Sequence, residues 1–595
     1  MQRPAAAHSH RPAPPPPTRA PACLRHAVGP TIWIPSEDGR LSVVRGLSDA
    51  PILNCTIPAL LERQALAWGD NEAVVSMHQE TRLSYRELLR HANEVAQGLL
   101  ALGVQRRDRV GIWAGSCVEW ATLQYAAAKA GAVLVNLNPS LKAAAELAYA
   151  LNKVGVSTLV MAPELRGTSF VDLVESIRWG TPQLRNKVVL GPNAPEGSLT
   201  WYDLRWAGEG GRLQSELQQR QRDCRPGEPA NIQFTSGTTG FPKAATLSHR
   251  NIVNNAFQVG ETLQYSASDR VCLPVPLFHC FGSVMGNVAC AAHAATAVYP
   301  SDCFDAGATL AAVEQERCTS LYGVPTMFIA QLEHPEFQRR DLTSLRTGIM
   351  AGAPCPAALM QKVQAEMHMR QITVCYGQTE TSPVSFQTSP EDPVDRQATT
   401  VGRIHPHLEA KVVDPATNLT LPRGQVGELC VRGYSVMLGY WADAPATARS
   451  FDADRFMHTG DLAILDDKGY CSIVGRIKDM VIRGGENLYP REIEEFLHHH
   501  PAIADVQVFG VPDVKHGEEL CAWVRLREGQ RHIGGEELRA FCKGRISHQK
   551  IPRYWKMVES YPTTMSGKPQ KYLMREAAMQ ELGLQAVALQ LVQTA

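Results

Sequence analysis

The densest group of residues suited to chemistry is one string of hydroxyls and glycines that ends in a lysine: Thr235, Ser236, Gly237, Thr238, Thr239, Gly240, Phe241, Pro242 and Lys243. Its hydroxyl and amide donors come with little side-chain bulk, and a polyphosphate is bound by such a concentration of donors. A Walker loop ends in Gly-Lys followed by Ser or Thr, whereas Pro242 precedes the lysine here and Ala244 follows it. The string is therefore a candidate phosphate-binding loop distinct from the usual P-loop, and a flexible polar surface loop is the alternative.

The residues on either side predict that this phosphate loop, residues 235–243, lies between a strand and a helix. Apolar residues 232–234 precede it, and Ser248 can cap a helix that begins just beyond it. This context favours phosphate binding over a surface loop.

Other short motifs combine acidic, aromatic, basic and glycine residues along the rest of the chain. They are Pro276-Leu277-Phe278-His279, Tyr322-Gly323-Val324-Pro325-Thr326, Ala351-Gly352-Ala353-Pro354, Tyr376-Gly377-Gln378-Thr379-Glu380, Gly427-Glu428-Leu429, His458-Thr459-Gly460-Asp461, Gly475-Arg476-Ile477-Lys478-Asp479 and Ser566-Gly567-Lys568. Together with the phosphate loop, and in this order, they resemble the adenylate-forming enzymes, the superfamily of acyl-CoA synthetases, luciferases and peptide-synthetase adenylation domains. The resemblance covers roughly residues 50–580.

This resemblance implies an ATP-dependent, AMP-forming acid:CoA ligase that uses Mg²⁺. Four segments are similar in sequence to the medium-chain fatty acid enzymes of the superfamily: residues 231–240, 437–441, 482–487 and 540–544. A carboxylate is a weak nucleophile, so its attack on the α-phosphorus of ATP requires aligned reactants and neutralised charge. The expected substrates are a fatty acid, ATP and CoA, with no nucleic-acid partner.

The resemblance also implies roles for individual residues in binding the nucleotide. The phosphate loop would hold the β and γ phosphates, Thr379 would donate to the α-phosphate, and Glu380 would bind Mg²⁺, which prefers hard oxygen ligands. Tyr376 and the backbone of Gly352, Ala353 and Pro354 would enclose adenine, beside Gly377 and Gln378. Asp461 would accept from the ribose hydroxyls, and Arg476 would reach the same sugar.

For the remaining steps, the resemblance implies a mobile small domain. Lys568 would enter the site from that domain and stabilise the charge of the adenylation transition state. Lys478 occupies the hinge position, and Gly484 and Gly485 would line the passage for the pantetheine arm of CoA. A solvated lysine and a simple tight turn are the respective alternatives for Lys568 and the glycine pair.

Three residues, His279, Val324 and Ala351, are the candidate lining of the acyl pocket. His279 would gate the pocket or position the substrate, or it is only a packed ring. Ala244 stands where the family commonly has Gly; if that position requires positive φ, alanine costs about 1 kcal/mol.

Two other functions remain open at this point. An adenylating enzyme could pass the acyl group to a carrier-protein thiol or to oxygen, although no carrier domain is recognised after about residue 580. A nucleotide-binding protein with a decayed site is disfavoured because Glu380, Asp461, Arg476 and Lys568 are all present.

Alternating short apolar runs and helical periods predict the elements that position these motifs. Residues 73–75, 110–113, 132–137 and 158–161 are expected to be buried strands, and a helix is expected to end at Gly103. This alternation is typical of a parallel sheet covered by helices. We expect an α/β fold: a large N-terminal domain of parallel sheets layered with helices plus a β-barrel-like part, and a small mobile α+β C-terminal domain.

The predicted domains are a tail or presequence (residues 1–45), the large AMP-binding domain (46–477), the small domain (478–580) and a tail (581–595). Apart from residues 188–190, residues 181–230 lose the alternating rhythm, which predicts a surface connection. The first 36 residues are Arg-containing and acid-free but hold a run of four prolines, so a disordered tail and an organelle presequence are both possible. A mitochondrial matrix location follows from the resemblance, with the cytoplasm as the alternative.

Composition sets the outer limits of these predictions. Lys plus Arg and Asp plus Glu are both 59, so no global charge attracts nucleic acid or an anionic membrane. The 15 Cys form no Cys-x-x-Cys pair, which favours reduced, buried thiols over a zinc ribbon or a disulfide framework. No apolar run reaches the roughly 18 to 20 residues that a membrane span requires. The sequence leaves the oligomeric state undetermined.

Overall fold

The computed structural model describes residues 34–35, 40–235, 242–530, 533–564 and 569–587. One large sheet has eight strands, and its first six in spatial order run parallel. The spatial order of all eight strands is β11 (Leu199–Thr200), β10 (Asn186–Val189), β7 (Val156–Met161), β5 (Arg109–Trp113), β6 (Val133–Asn136), β12 (Pro229–Thr235), β13 (Lys243–Ser248) and β23 (Gly439–Tyr440).

A second sheet of nine strands has six parallel strands at its centre and antiparallel strands at both edges. Its spatial order is β20 (Arg403–Ile404), β19 (Val384–Gln387), β18 (Gln371–Gly377), β17 (Thr347–Ala351), β16 (Ser320–Gly323), β14 (Arg270–Cys272), β15 (Thr296–Tyr299), β3 (Glu72–Ser76) and β4 (Thr81–Ser84). The carboxyl ends of β16, β17 and β18 each lead into one of the sequence motifs.

The barrel-like part is a sheet of six antiparallel strands. It consists of β1 (Ile34–Pro35), β2 (Val43–Arg45), β21 (Leu408–Val413), β22 (Gly427–Gly433), β24 (Met457–Leu465) and β25 (Cys471–Arg476). The C-terminal sheet has five strands, β27 (Glu486–Leu488), β26 (Val481–Arg483), β29 (Gly517–Leu526), β28 (Ile503–Asp513) and β30 (Tyr554–Met557), the last paired with β29. A separate hairpin joins β8 (Glu164–Leu165) to β9 (Thr168–Ser169).

Helices cover the sheets. In chain order, the α-helices of the described residues are α1 (Ile57–Ala67), α2 (Tyr85–Ala101), α3 (Val118–Lys129), α4 (Ala144–Val154), α5 (Phe170–Ser176), α6 (Trp201–Ala207), α7 (Gln214–Asp223), α8 (His249–Thr262), α9 (Cys280–Gly282), α10 (Ala289–His293), α11 (Ala306–Glu316), α12 (Pro325–Leu332), α13 (Ala357–Glu366), α14 (Val394–Thr399), α15 (Ala444–Arg449), α16 (Pro490–Leu497), α17 (Gly535–Cys542) and α18 (Lys571–Glu581). Ser248 caps α8 as predicted, and its side chain accepts from the Asn251 amide. A π-helical turn, Ser283–Val288, joins α9 to α10.

The main hydrophobic core lies between the two large sheets. Helices α2, α3 and α8 fill it with fully buried side chains such as Leu99, Leu123 and Val253. The C-terminal sheet has cores of its own, in which Val508 and Leu520 pack on one face and Phe509 and Trp523 on the other. The fold-class prediction is confirmed for its large α/β part, its barrel-like sheet and its small α+β part.

Residues 181–230 differ from the expected surface connection. Strands β10 and β11 extend the eight-stranded sheet through this segment, and α6 and α7 follow. Each of these two helices has few buried residues, with Leu204 buried in α6 and Leu217 in α7, so the apolar periodicity is too sparse to read from the sequence.

The burial of the thiols agrees with the prediction from the sequence. The described cysteines are free, and all except Cys55 and Cys303 are buried. No helix of the described ranges combines the length and apolar character of a bilayer span.

Candidate active site

The phosphate loop connects two antiparallel strands of the eight-stranded sheet. The predicted strand before the loop is present, but the prediction that a helix follows the loop directly is wrong, because β13 lies between the loop and α8. Thr235 ends β12 and pairs with Lys243, the first residue of β13. The Thr235 hydroxyl donates to the Lys243 carbonyl at 3.5 Å, and the Pro242 carbonyl accepts from the Tyr149 hydroxyl at 3.1 Å. The two ends of the loop are therefore fixed by the sheet, while residues 236–241 lie outside the described residues.

Ala244 occupies a regular strand position within β13. It pairs with Phe234, is fully buried, and its carbonyl accepts from the Trp441 amide at 2.8 Å. Ala244 is also not among the residues with positive φ. The conditional cost considered for alanine at this position therefore does not arise.

Tyr440 connects the phosphate loop to the acidic motif. Its strand, β23, pairs with β13, so its ring lies 4.9 Å from the Lys243 Nζ atom. Its hydroxyl donates to Glu380 Oε1 at 2.9 Å. Burial and the Glu380 carboxylate raise the pKa of Tyr440, so the phenol keeps its proton and remains a donor. In the sequence, residues 437–441 show only a family resemblance, and nothing in them indicates this contact.

Glu380 and Thr379 lie in a single 3₁₀ turn directly after β18. Both residues are buried, and the Glu380 carbonyl accepts from the Met437 amide at 2.8 Å. The turn therefore holds the Glu380 carboxylate at the carboxyl edge of a parallel sheet, where open α/β proteins bind ligands. A buried, oriented carboxylate is a ligand suited to Mg²⁺, so the position of Glu380 is compatible with its predicted role as a metal ligand.

A second cluster joins Tyr376, Asp461 and Arg476. The Tyr376 hydroxyl donates to Asp461 Oδ2 at 2.6 Å, and Arg476 Nε lies 3.3 Å from Asp461 Oδ1. Asp461 and Arg476 are directly paired across β24 and β25. Burial and the neighbouring carboxylate raise the pKa of Tyr376, which therefore remains a hydrogen-bond donor at neutral pH.

A β-bulge presents Asp461 to this cluster. Between the pairs Cys430 with His458 and Glu428 with Leu462, strand β24 has two more residues than β22, and Gly460 there has a φ of 72°. The Gly460 amide donates to Glu428 Oε1 at 3.0 Å, which anchors the bulge to β22. Bulges re-aim side chains next to active sites, and the anchoring role of Glu428 was also missed by sequence reasoning.

The predicted adenine-binding residues follow the carboxyl ends of neighbouring strands. Ala351, the last residue of β17, pairs with Cys375 of β18, so Gly352 and Tyr376 emerge side by side. Gly352 has a φ of 87°, a conformation that favours glycine. A Cβ at Gly377 would lie 1.8 Å from the Pro383 carbonyl oxygen, so only glycine fits there.

The predicted acyl-pocket residues lie on adjacent elements of the nine-stranded sheet and in the turn before α9. Val324 and Ala351 follow directly paired residues of β16 and β17, and both are buried in the main core. His279 caps α9, and its Nδ1 atom accepts from the Phe281 amide at 3.2 Å. Nδ1 is thus used as an acceptor within the turn, and the ring is half-buried.

The predicted hinge and passage residues surround the start of the C-terminal sheet. Lys478 lies in a 3₁₀ turn two residues after Arg476, and partial burial together with the Arg476 guanidinium lowers its pKa. Gly484 and Gly485 form the two-residue turn between β26 and β27, with φ values of 60° and 86°. This geometry is the type I′ hairpin turn, so the tight-turn role is present whether or not CoA passes there. Lys568 lies outside the described residues.

Comparison with known proteins assigns the family. The family model described as "AMP-binding enzyme" matches residues 61–441, and that described as "AMP-binding enzyme C-terminal domain" matches residues 492–568. The chain therefore belongs to the AMP-binding enzymes. Within that family it is an AMP-forming acyl-CoA ligase, which uses ATP, Mg²⁺ and CoA.

Individual relatives are similar over nearly the whole chain. A "Putative acyl-CoA synthetase YngI" from Bacillus subtilis is 45% identical, with 90% of this chain and 99% of the relative covered. The "Medium-chain acyl-CoA ligase ACSF2, mitochondrial" of Danio rerio is 44% identical, with 91% of each chain covered. The crystal structure of ATP-bound MatB from Rhodopseudomonas palustris is 29% identical, has a TM-score of 0.79, and matches 88% of this chain and 99% of its own.

Proposed function

We propose that the chain activates medium-chain fatty acids, and that the two clusters described above bind the ATP used in this reaction. In the first step a carboxylate oxygen attacks the α-phosphorus, forming acyl-AMP and releasing pyrophosphate. In the second step the CoA thiolate attacks the acyl carbonyl carbon, forming the thioester and releasing AMP. The observation that carries the residue assignment is the contact of Tyr440 with both Lys243 and Glu380, because it joins two motifs that are distant in sequence.

The phosphate end of ATP is assigned to residues 235–243, Thr379 and Glu380. Lys243 provides an ammonium group on β13, which pairs with β12 along its whole length. Thr379 provides a hydroxyl on the residue before Glu380. Mg²⁺ bound by the Glu380 carboxylate would supply charge neutralisation at the phosphate oxygens. Tyr440 is assigned as a positioning residue, since its hydroxyl fixes the orientation of that carboxylate.

The nucleoside end is assigned to the second cluster. Asp461 has two oxygens that suit a pair of ribose hydroxyls, and Tyr376 and Arg476 hold its carboxylate in place. The Tyr376 ring and residues 352–354 follow adjacent strands, and adenine is assigned to the space between them.

The second half-reaction is assigned to the small domain, whose first residue is taken to be Lys478. Lys568 would act in adenylation, and rotation about Lys478 would then bring the β26–β27 turn to the site. This assignment rests on the family resemblance and on the position of Lys478, which follows the nucleotide-binding strand β25 directly.

Medium-chain preference is supported by relatives that carry this substrate in their names, at 40 to 44% identity. A pyrophosphate-release assay against straight-chain acids from acetate to octadecanoate, with CoA added second, tests it. Hexanoate to dodecanoate should give the highest kcat/KM. A preference for acetate or for an aromatic acid would contradict the proposal, and pyrophosphate release without acyl-CoA formation would favour transfer to a carrier-protein thiol.

A mitochondrial matrix location is proposed on the same relatives, which are named as mitochondrial proteins. A full-length chain with a C-terminal fluorescent tag should co-localise with a matrix marker, and removal of residues 1–45 should abolish this. Cytoplasmic fluorescence of the full-length fusion would contradict the proposal.

A further inference from the structure

Three side chains that bind transition metals meet behind the Asp461 bulge. Glu428 and Cys430 lie on β22, and His458 lies on β24 directly opposite Cys430. Their ligand atoms all lie within 4.8 Å of one another, and within the described ranges they are the cluster with the composition of a metal site. None of the three is assigned above to substrate binding.

The distances within this trio are close to those of a tetrahedral zinc site. Cys430 Sγ lies 3.5 Å from His458 Nδ1, and that atom lies 2.8 Å from Glu428 Oε2. Ordinary Zn–S, Zn–N and Zn–O bond lengths at tetrahedral angles separate sulfur from nitrogen by about 3.5 Å and nitrogen from oxygen by about 3.3 Å. Of these two pairs, only the histidine and the glutamate would have to move apart, by about half an ångström. The sulfur and the carboxylate oxygen lie within 4.8 Å of each other.

Burial makes the trio a preorganised site rather than a solvated charge pair. Cys430 is fully buried between Val413 and Phe456, and Glu428 is 8% exposed. The His458 side chain is 25% exposed, so water can reach the cluster from its side. Three protein ligands and one water would complete four-coordination.

We propose that Glu428, Cys430 and His458 form a binding site for a thiophilic divalent cation of the zinc class. The thiol releases its proton to solvent as the sulfur–metal bond forms. The proton shared by His458 Nδ1 and Glu428 Oε2 is released to solvent, or the neutral ring keeps its proton on Nε2, so that both atoms exchange their mutual hydrogen bond for bonds to the cation. Glu428 Oε1 keeps its bond from the Gly460 amide. Binding therefore ties β22 to β24 on both sides of the bulge that carries Asp461, and it does not depend on the proposed substrate.

Cobalt(II) is the probe, because thiolate coordination to cobalt gives a charge-transfer band that zinc does not. The full-length protein, stripped of metal by a chelator, is titrated with Co²⁺ under reducing conditions. One equivalent should produce the band, zinc should displace it, and either metal should raise the Tm because it binds only the folded chain. Absence of the band would overturn the proposal.

Two variants assign the band to this trio. Cys430→Val fills the apolar site with a side chain of similar size and should remove the band, whereas His458→Gln, at a partly exposed position, should weaken cobalt binding by at least about tenfold. Cys521→Val, at another buried cysteine, is the matched control and should behave as the parent. An unchanged band in the Cys430 variant, or unchanged affinity in the His458 variant, would show that cobalt binds elsewhere.

Discussion

Removal of the Tyr440 hydroxyl tests the connection between the phosphate loop and the acidic motif. Tyr440→Phe keeps the ring beside Lys243 but deletes the hydrogen bond to Glu380 Oε1, which is 2.9 Å long. A hydrogen bond to a charged group contributes about 1.5 to 3 kcal/mol. If all of it positions the carboxylate during adenylation, kcat/KM for MgATP should fall by about tenfold to a hundredfold.

The assay is pyrophosphate release at a saturating fatty acid concentration, with ATP and Mg²⁺ varied separately. The loss should appear at low Mg²⁺ most strongly, and it should shrink in a Glu380→Gln background, because the two side chains act through one contact. Tyr470→Phe is the matched control, since Tyr470 donates to Asp392 at 2.5 Å among residues with no assigned role. Unchanged kcat/KM and unchanged Mg²⁺ dependence in Tyr440→Phe would refute the reasoning.

The remaining predictions concern the small domain and two buried histidines. Gly485→Leu should leave pyrophosphate release nearly intact, because a Cβ there meets nothing within 4 Å and its strain costs only about 1 kcal/mol. It should block acyl transfer to CoA in single-turnover experiments, because its side chain would fill the passage proposed for the pantetheine arm. Gly485→Ala carries the same strain without the bulk, and equal loss in both variants would favour a turn role alone. Lys568→Ala should lower adenylation by about a hundredfold or more while sparing thioester formation from supplied acyl-AMP, and equal loss in both steps would indicate a structural lysine. Burial lowers the pKa of His249 to about 4 and that of His405 to about 3, so below about 6.5 the unfolded chain binds protons that the folded chain does not. The free energy of unfolding should therefore fall by roughly 2 kcal/mol per histidine between pH 7 and pH 5, which a decrease in Tm over this range would report. His405→Gln should make the dependence of Tm on pH less steep, and an equally steep profile in that variant would contradict the assignment.

The sequence predicted the motifs and their supporting elements because each is local. The strand before the phosphate loop and the Ser248 cap follow from apolar runs and capping chemistry within a few residues. Tyr376 and Glu380 belong to one motif of five residues, so the single strand β18 brings both to the same sheet edge.

Contacts between distant segments could not be predicted in this way. Tyr440 reaches Glu380 only because β23 adds to the edge of β13, and the sequence does not indicate that pairing. The bulge at Gly460 depends on two extra residues in one strand relative to its neighbour, which becomes visible only when the register is known. The π-helical turn after α9 has the same apolar composition as an ordinary helix.

The large part of the chain and its C-terminal part have separate hydrophobic cores, which should allow them to unfold separately. In the described part of the chain, each hydrophobic cluster lies wholly within residues 44–473 or wholly within residues 481–584, so none packs the two parts together. Cooperative unfolding follows shared packing, so calorimetry should resolve two transitions, the smaller from the C-terminal part. A protease cut near Lys478 should release that part as a folded fragment, and a nucleotide bound to both parts would draw the two transitions together.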